Sequence, residues 1–536
     1  MRTNFPIKEY SSVNPKRLVF IALMFSCLLL FPCIQYAQYC GFNEAMPEPG
    51  GGGPAPSCNS LNNYIPDDYT STLTINLNFW FMQDPTSSEI KNFQSDGSGL
   101  PGNNPITGDQ YADAMIAGMN NYLANNEAMH LYLGDSPPEA LPTHIRLRKA
   151  NVYYQPDTIL WDYCYNSGVS PLRVKYGQPD AIDIFLTSFD LDNIPSGCGI
   201  GGYGSVDVNA QGFWLGLRSQ ILANDTASVQ YSFNELLGWH CSGYLGVILL
   251  HEIGHVLGLF HTLDQNNSTV CCGNMNDGIA DTPSLQEIQD SLNIDNPCCS
   301  RNRVIIGTDT IPCIFPEEHG CSNNLMDYTH KHALTPLQLA TMHRRLCYPT
   351  PSLTLHNDYC TSNEGVTIDA GGSLVWNGAR IFKGDVYITN NTTVTIKCTV
   401  YMPEGRKFII QPGSKLIIDV GIITNRCGLL WGGVEVRGTT STTQSAANHG
   451  VLQMINGGTI EYASVGAKTL SQQGGIIQCN GASFLNNQVS VEMNQYARMG
   501  TQGQLDNLSY FSKCHFEVND VSRFGYWQRH DSFIKL

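Results

Sequence analysis

The sequence predicts an α+β domain, with helices packed on a mixed sheet, followed by an all-β domain folded as a right-handed parallel β-helix. Up to residue 350, amphipathic helical patterns and alternating strand patterns are interspersed along the chain. After Pro351, short β-rich pieces recur about every two dozen residues, with Gly and Asn turns and without helical periodicity. A β-sandwich is the alternative for this second part.

Three stretches with alternating or apolar patterns predict strands of the first domain, which we place at 71–350. They are TLTINLNFWFM at 72–82, IRLRKANVYY from Ile145 and AIDIFLTS from Ala181. YADAMIAGMNNYLANN from Tyr111 has apolar residues at helical spacing and predicts an amphipathic helix. The first domain is therefore expected to combine strands and helices.

The second domain is placed at 351–536, where VTI at 366, VYI at 386 and KFIIQPGSKLII at 407–418 are among the β-rich pieces. The change in composition near Pro351 predicts a domain boundary, so residues 70–350 are expected to fold alone. The final residues show no obvious cap, and a truncated product of a longer gene is expected.

Length and charge limit the classes of function. At 536 residues the chain exceeds one ordinary domain, so two or three domains are expected. A formal net charge of −16 at pH 7, without an offsetting cluster of Lys or Arg, disfavours nucleic acid and anionic membranes as partners. Only 14% of the residues are charged and 51 are Gly, which favours a turn-rich β architecture over a helical bundle.

The N-terminus predicts export. Lys16 and Arg17 precede an apolar run at 18–31, and residues 1–37 are therefore predicted to be a signal peptide. An uncleaved membrane anchor is the alternative, which the short apolar run disfavours. No later segment of the sequence is long and apolar enough to cross a membrane, so a secreted or cell-surface protein is expected. A pro-segment or linker is predicted at 38–70, because EPGGGGPAPS is rich in Gly and Pro.

The segment HEIGHVLGLFH, which begins at His251, places three histidines and a glutamate in an otherwise apolar stretch. If a helix begins near Ser242 and runs through this segment, His251 and His255 lie one turn apart on one face. Gly258 can end that helix with a positive φ, so that the chain turns and His261 becomes a third ligand. A histidine satisfied within the core is the alternative for one ring, but three at this spacing favour a metal site.

Three histidines would leave the fourth position of a tetrahedral zinc ion open, which is typical of a catalytic site. Zinc in such a site activates water as a nucleophile. Glu252 adjoins the first histidine and can take the proton of that water, then hand it to the departing amine. The sequence therefore predicts a zinc-dependent endopeptidase with Glu252 as its general base.

The histidine motif resembles the HExxHxxGxxH pattern of the metzincin zinc peptidases. Downstream, NNLMDYTH at 323–330 resembles the Met-turn of that clan. NDGIADTP at 276–283, with cysteines on either side, and LTPLQLATMHRRL at 334–346 are similar to the pappalysins, the M43-type metzincins. The resemblance covers 181–348 best and implies an α+β metzincin-like catalytic domain.

The resemblance also implies roles for residues outside the histidine motif. Met326 would lie beneath the metal as a structural floor. Tyr328 would help to stabilise the tetrahedral oxyanion. Asp277 and Asp281 would belong to a calcium-binding loop, with a solvated acidic turn as the alternative.

The expected partner is a protein or peptide substrate. In folds of this kind the substrate lies extended across the cleft and pairs with an edge strand, and Gly202 and Tyr203 are candidates for that rim. A rival hypothesis is a cell-surface adhesin, in which the β-helix binds a surface glycan or protein and the peptidase is accessory. The intact Glu252 and histidines disfavour a vestigial site. A polysaccharide lyase or hydrolase in the β-helix is a third hypothesis, but no paired carboxylates stand out there.

The cysteine content predicts disulfides. Seventeen of the 19 cysteines remain after signal cleavage, so in an oxidising compartment most should pair and at least one is left over. A structural zinc site is an alternative for the cysteines that follow the histidine motif, but no CxxC pair supports it. Disulfides that hold irregular loops are therefore expected at Cys271, Cys272, Cys298, Cys299, Cys313, Cys321 and Cys347.

Cys40 is the candidate for the leftover thiol. It lies in YCGF, just after the predicted signal peptide and ahead of a flexible linker long enough for its thiol to reach the cleft. By the resemblance, its thiolate would occupy the fourth zinc position and keep the enzyme latent until the segment is removed. A disulfide between Cys40 and Cys58 is the alternative.

Overall fold

The structure is a computed structural model, and within the residues that it describes no helix is long and apolar enough to span a membrane. The predicted signal peptide and Cys40 lie outside these residues. The described residues are 56–86, 92–97, 107–130, 137–160, 171–178, 180–187, 203–205, 213–218, 245–262, 277–282, 303–306, 309–312, 322–327, 332–347, 355–356, 358–440, 443–496, 499–500, 503–504, 506–524 and 532–535.

A five-stranded sheet organises the N-terminal region, which we define as residues 73–347. Its strands are β1 (Leu73–Gln83), β2 (Ile145–Pro156), β3 (Ile182–Thr187), β4 (Tyr203–Ser205) and β5 (Phe213–Arg218). The order is β2-β1-β3-β5-β4, and every pair is parallel except β4 with β5. β1 lies between two neighbours and is buried on both faces, as its largely apolar sequence requires. The region thus contains the mixed sheet that the sequence predicts.

Helices and a hairpin complete this region. Thr107 Oγ1 accepts a hydrogen bond from the backbone N–H of Gln110 at 3.2 Å, and the Gln110 side chain accepts one from the backbone N–H of Thr107 at 3.0 Å. This capping box starts the first helix at Gly108, three residues before the start that the sequence predicts. The helices are α1 (Gly108–Ala124), α2 (Pro171–Tyr176), α3 (Leu245–Val256), α4 (Pro336–Cys347) and the later α5 (Asp358–Thr361), and the hairpin pairs β6 (Arg303–Ile306) with β7 (Asp309–Pro312).

The C-terminal part of the chain, residues 366–535, is built from three parallel sheets, and we call it the three-sheet region. The strands of this region are β8 (Val366–Ile368), β9 (Ser373–Trp376), β10 (Arg380–Ile381), β11 (Val386–Ile388), β12 (Thr393–Ile396), β13 (Thr399–Tyr401), β14 (Lys407–Ile410), β15 (Lys415–Asp419), β16 (Ile422–Thr424), β17 (Gly433–Val436), β18 (Val451–Ile455), β19 (Thr459–Glu461), β20 (Val465–Thr469), β21 (Ile476–Asn480), β22 (Ser483–Leu485), β23 (Val489–Glu492), β24 (Met499–Gly500), β25 (Gly503–Gln504), β26 (Tyr510–Ser512), β27 (His515–Glu517) and β28 (Ser532–Lys535).

Each of the three sheets takes one strand from every coil, and one strand from each sheet, in chain order, makes one coil. The first sheet contains β8, β11, β14, β17, β20, β23 and β28. The second contains β9, β12, β15, β18, β21 and β26, and the third contains β10, β13, β16, β19, β22 and β27. β24 and β25 form a separate antiparallel pair.

Stacks of buried aliphatic side chains hold the coils together. Ile388 pairs with Ile368 on one side and with Ile410 on the other, and all three side chains are fully buried. Asn390 and Asn391, with φ of 55° and 56°, turn the chain between two sheets. A β-sandwich is built from antiparallel sheets, so the parallel pairing excludes this alternative.

Residues 56–70, which we call the bridging segment, attach the N-terminal region to the three-sheet region. Cys58 forms a disulfide with Cys398, so the alternative pairing of Cys58 with Cys40 is wrong. The Arg380 guanidinium donates to both carboxylate oxygens of Asp67, at 2.9 and 2.6 Å. The predicted linker at 38–70 therefore includes a stretch that packs and pairs in the folded chain.

The two regions also share a hydrophobic core. Ile381 and Cys427 of the three-sheet region belong to the same buried cluster as the strands and helices of the N-terminal region. Leu355 pairs with Ile75 of β1 and is buried in that cluster. Arg426 donates hydrogen bonds to the carbonyl oxygens at the C-terminal end of α4. These contacts argue against the expectation that residues 70–350 fold alone.

A buried carboxylate in the N-terminal sheet makes stability depend on pH. Asp183 on β3 is 1% exposed. It accepts hydrogen bonds from Asn78 Nδ2 at 3.1 Å, from Trp80 Nε1 at 2.8 Å and from the Gln178 backbone N–H at 2.6 Å. Burial raises its pKa to about 6 despite these donors. The folded state therefore binds more protons than the unfolded chain between about pH 4 and pH 6, and stability falls as pH rises through that window.

We expect Asp183→Asn to remove this part of the pH dependence. In the wild type, the protonation of Asp183 changes the free energy of unfolding by at most about 3 kcal/mol between pH 4 and pH 6, and the variant loses this change. Thermal unfolding at pH 4, 5, 6 and 7 measures it, with Asp68→Asn as the control because Asp68 is exposed. Equal pH slopes for Asp183→Asn and the wild type would contradict the prediction.

Candidate metal centre and active site

The histidine motif lies on α3 and on the turn that follows it. His251 and His255 are one helical turn apart on α3, and the helix ends at Val256. Gly258 has a φ of 94°, and its backbone N–H bonds to the carbonyl oxygen of His255 at 2.9 Å. A residue with a side chain rarely adopts this φ, so glycine permits the turn that carries His261 back towards the helix.

The three imidazole rings converge on one point. The Nε2 atoms of His255 and His261 are 3.1 Å apart, and those of His261 and His251 are 3.2 Å apart. Each of the three histidines can offer one ligand atom, and these three atoms lie within 4.8 Å of one another. The residues that the sequence singled out are thus brought together as a set that can hold a metal ion.

Two backbone carbonyls orient the rings. Nδ1 of His251 lies 2.6 Å from the carbonyl oxygen of Leu325, and Nδ1 of His255 lies 2.8 Å from that of Leu259. A carbonyl only accepts hydrogen bonds, so each Nδ1 carries the proton and each Nε2 presents a lone pair. Sequence reasoning missed these partners because a backbone carbonyl has no residue signature.

Burial keeps the rings of His255 and His261 neutral. Desolvation, together with the neighbouring His251, lowers the pKa of His255 to about 3. Desolvation and the neighbouring histidines also hold the pKa of His261 well below its usual value. Neutral imidazoles whose Nε2 lone pairs face one another at these distances suit a cation between them.

Glu252 and Met326 lie at the same centre. Glu252 follows His251 on α3 and is 1% exposed. Met326 is fully buried, and its Sδ would lie 2.6 Å from a Cβ added to Gly254. Glycine in the middle of the motif therefore allows Met326 to pack against α3, a requirement that the sequence alone did not reveal.

The segment 322–327 is held from α4 by an amide pair. Asn324 Nδ2 donates to Gln338 Oε1 at 2.7 Å, and Gln338 Nε2 donates back to Asn324 Oδ1 at 3.0 Å. Asn324 Oδ1 also accepts from the Met326 backbone N–H at 2.9 Å. Leu325 lies between Asn324 and Met326, and its carbonyl oxygen accepts a hydrogen bond from His251. Helix α4 therefore positions the candidate ligand His251 through the segment 322–327.

The two aspartates of the acidic turn have different surroundings. Asp277 Oδ1 accepts from Thr282 Oγ1 at 2.6 Å, whereas its Oδ2 is buried without a hydrogen-bond partner among the described residues. Burial raises the pKa of Asp277 to about 6. Asp281 accepts from Thr335 Oγ1 at 2.6 Å and from the Leu337 backbone N–H at 2.8 Å. Asp281 thus stabilises the N-terminus of α4, a role that sequence reasoning missed.

Three predicted site residues, Tyr328, Gly202 and Cys40, lie outside the described residues. Tyr203 begins β4, the edge strand of the mixed sheet. β4 pairs antiparallel with β5 on one side, and no strand pairs with its other side in the described part of the sheet.

We expect Gly254→Ala to disturb the centre, because the new methyl group would overlap Met326 Sδ. Overpacking of this kind costs about 1–3 kcal/mol. A lower thermal midpoint and a lower metal content after dialysis are the expected results. Gly428→Ala is the control, since nothing lies within 4 Å of an added Cβ there. Equal midpoints and metal contents in the two variants would contradict the close packing of Met326.

The chain is similar to known peptidases in its structure and in part of its sequence. A structure of mature mirolysin from Tannerella forsythia, in complex with a cleaved peptide, is similar over 53% of this chain and 99% of its own, with 15% identity and a TM-score of 0.26. No curated protein matches the chain. The family model of peptidase M43, described as pregnancy-associated plasma protein-A, matches residues 205–346, which include the histidine motif, the acidic turn, Met326 and all of α4 except its last residue. Residues 205–346 are therefore an M43-type metzincin metallopeptidase region.

Proposed function

We propose that the protein is a secreted, zinc-dependent endopeptidase that hydrolyses peptide bonds in proteins. The observation that carries this proposal is the convergence of three imidazoles, with Nε2 atoms 3.1 and 3.2 Å apart, beside a buried glutamate. The peptidase M43 family match over these residues supports it. Predicted export from the N-terminus supports secretion.

The donor set fits zinc. Two nitrogen ligands at zinc–nitrogen distances of about 2.0–2.1 Å and a tetrahedral angle lie about 3.3 Å apart, close to the separations observed here. Carbonyl acceptors at Nδ1 of His251 and His255 are the partners that metal-bound histidines require. Imidazole also suits copper, iron and nickel, so the choice of zinc rests on the family.

Glu252 is the proposed general base. Zinc, when bound, acts as a Lewis acid towards water and the scissile carbonyl group. The Glu252 carboxylate accepts the proton of the attacking water and returns it to the leaving amine nitrogen, so one group serves first as base and then as acid. Tyr328 is proposed to stabilise the oxyanion, and Met326 to support the ligands from below.

The substrate is proposed to pair with β4. This strand lies at the edge of the mixed sheet, and its outer side has no strand partner in the described residues. An extended peptide can add to such an edge through backbone hydrogen bonds. Gly202 and Tyr203 stay candidates for the rim on this basis. Asp277 and Asp281 stay candidate ligands of calcium, and Oδ2 of Asp277 is buried without a hydrogen-bond partner among the described residues.

The three-sheet region is proposed to be a right-handed parallel β-helix that binds a surface glycan or protein. From β8 to β23, each strand pairs with the strand three positions away along the chain, and beyond the β24–β25 hairpin the interval is five. A chain that winds through three sheets in rotation produces this order, which supports the proposal. The proposed limits are 1–37 for the signal peptide, 38–70 for the pro-segment, 71–350 for the peptidase and 351–536 for the β-helix.

A cleavage experiment tests the proposed function. The purified full-length protein is incubated with a peptide library, with and without a zinc chelator, and the products are sequenced. We expect cleavage that chelation abolishes and zinc restores, together with a lower zinc content in His261→Ala by elemental analysis. Binding of glycans without any cleavage would instead favour the adhesin hypothesis.

Cys40 is proposed to keep the enzyme latent. Since Cys58 pairs with Cys398, the thiol of Cys40 does not have Cys58 as its partner. We expect Cys40→Ala to cleave peptides at once after purification, whereas the wild type requires removal of its N-terminal segment. Asn43→Ala, a change in the same segment, is the control. Equal activity of unprocessed wild type and Cys40→Ala would refute the switch.

A further inference from the structure

Two cysteines of the three-sheet region, Cys479 and Cys514, lie in neighbouring coils and pack in the same buried cluster. Cys479 is on β21, and its side chain is fully buried in the core of the coils. Cys514 lies between β26 and β27, is half-buried and packs against the same core. Neither forms a disulfide, and the two thiols are near enough for each to shift the pKa of the other.

The strand register explains why these thiols meet. Cys479 pairs with Phe511 between β21 and β26, and Ser483 pairs with His515 between β22 and β27. The His515 backbone N–H bonds to the Ala482 carbonyl oxygen at 2.8 Å, so Cys514 is stacked on Ala482. Both cysteines therefore lie at the corner between the second and third sheets.

The same corner carries a disulfide four coils earlier. Parallel pairing aligns Thr399, Ile422, Thr459, Ser483 and His515 in successive coils. The residues that precede these form a second row, and this row begins with Cys398 and ends with Cys514. Cys398 is bonded to Cys58 of the bridging segment. A cysteine at this corner of the coils thus forms a disulfide in the folded chain.

The other described cysteines of the coils are already paired. Cys360 is bonded to Cys427. The prediction of a disulfide at Cys347 is wrong, because this residue is a free, buried thiol on α4, outside the three-sheet region. Cys479 and Cys514 are thus the remaining pair in the part of this region that the structure describes.

We propose that Cys479 and Cys514 form a disulfide that fastens the last coil to the coil before it. The oxidant is a disulfide, either a small-molecule one or that of a thiol oxidoreductase. The Cys514 sulfur attacks it, forms a mixed disulfide and releases one thiolate. Cys479 then loses its proton, attacks the Cys514 sulfur and releases the second thiolate. Two cysteine thiols are oxidised, and one disulfide is reduced to two thiols.

The environment favours Cys514 as the first nucleophile. The hydrogen bond from Cys479 lowers the pKa of Cys514 to about 6 and raises the pKa of Cys479. Cys514 is also the half-exposed member of the pair, so an oxidant reaches it first. The buried Cys479 is then the resolving thiol.

The bond would stabilise the coil that has the fewest partners. β26 and β27 are the last strands of the second and third sheets, and each pairs with one strand in the described residues. End strands of this kind open more readily than central ones. A cross-link from Cys479 to Cys514 removes conformational freedom from the opened state.

Peptide mapping of the full-length protein tests the proposal. The protein is expressed with export into an oxidising compartment, denatured without reductant, alkylated and digested. We expect a linked peptide pair that contains Cys479 and Cys514 and that separates on reduction. Alkylation of either cysteine in the unreduced protein, or linkage of either to another cysteine, would overturn the proposal.

Amide hydrogen exchange tests the fastening. In Cys514→Ser we expect exchange in β26 and β27 to accelerate by about a hundredfold, because a bond of this kind restrains local opening. Reduction of the wild type should have the same effect. Cys347→Ser is the control and should leave exchange in these strands unchanged. If exchange in β26 and β27 is equal in Cys514→Ser and in the oxidised wild type, the bond does not fasten the coil.

Discussion

Glu252→Gln is expected to leave the protein folded and zinc-loaded while its peptidase activity falls by about three orders of magnitude or more. The amide retains the shape of the carboxylate but cannot accept the proton of the attacking water, and general-base catalysis is worth about 10²–10⁴ in rate. The convergence of His251, His255 and His261 does not depend on that carboxylate, so the ligand set is kept.

Peptide cleavage rates, zinc content and thermal unfolding are measured on the same preparation of Glu252→Gln. Glu517→Gln is the matched control, because Glu517 is an exposed glutamate on β27 in the three-sheet region. We expect this control to equal the wild type in all three measurements. Turnover of Glu252→Gln at the wild-type rate would remove Glu252 from the mechanism, even if zinc were present.

Removal of the bridging segment and the three-sheet region is expected to have the other large effect. A chain limited to residues 70–350 would lose Tyr64, Tyr359, Ile381 and Cys427 from its core. It would also lose the Cys58–Cys398 disulfide. We expect this shortened chain to aggregate, or to unfold at a temperature at least 10 °C below that of the whole protein, because burial of several large side chains is lost at once.

The loss is expected to reach the metal centre through α4. Arg426 stacks on Tyr401 at 3.9 Å and donates to the Leu346 carbonyl oxygen at 3.2 Å, which stabilises the C-terminal end of α4. Near the other end, Gln338 holds Asn324 through the amide pair. Zinc binding by the shortened chain should therefore be weaker than in the whole protein.

A single substitution tests the same connection within the full-length chain. Arg426→Ala is expected to cost about 1–3 kcal/mol, from lost hydrogen bonds and a lost cation–π contact, and to lower zinc retention. Arg437→Ala is the control, because Arg437 pairs with Glu435 within the three-sheet region. Full peptidase activity and zinc content in residues 70–350 alone would show that the two regions are independent.

Much of the histidine centre could be predicted from the sequence because its geometry is local. The helical period places His251 and His255 one turn apart, and Gly258 ends the helix with a positive φ of 94°. The ligand atoms therefore meet within a segment of eleven residues, and no long-range contact has to be known. The alternating strands and the recurrent β-rich pieces were readable for the same reason, since side-chain periodicity is set by neighbours along the chain.

Only the tertiary structure revealed the contacts that distant groups make with the centre. The Leu325 carbonyl orients His251, and the Met326 side chain, which the resemblance placed beneath the metal, packs so closely on α3 that residue 254 has to be glycine. Asp281, which the resemblance assigned to a calcium loop, accepts hydrogen bonds at the N-terminus of α4.

The contacts that attach the three-sheet region to the N-terminal region could not be predicted from the sequence either. A change in composition near Pro351 predicts a boundary, but it does not reveal that Cys58 bonds to Cys398 across 340 residues or that Ile381 enters the N-terminal core. Pairings of this kind leave no local pattern, because backbone carbonyls, cysteines and aliphatic side chains can each pair with many others. The fold determines which of these groups meet, because it brings particular surfaces together. Once they are buried, a polar group without a hydrogen-bond partner would raise the free energy of the folded state.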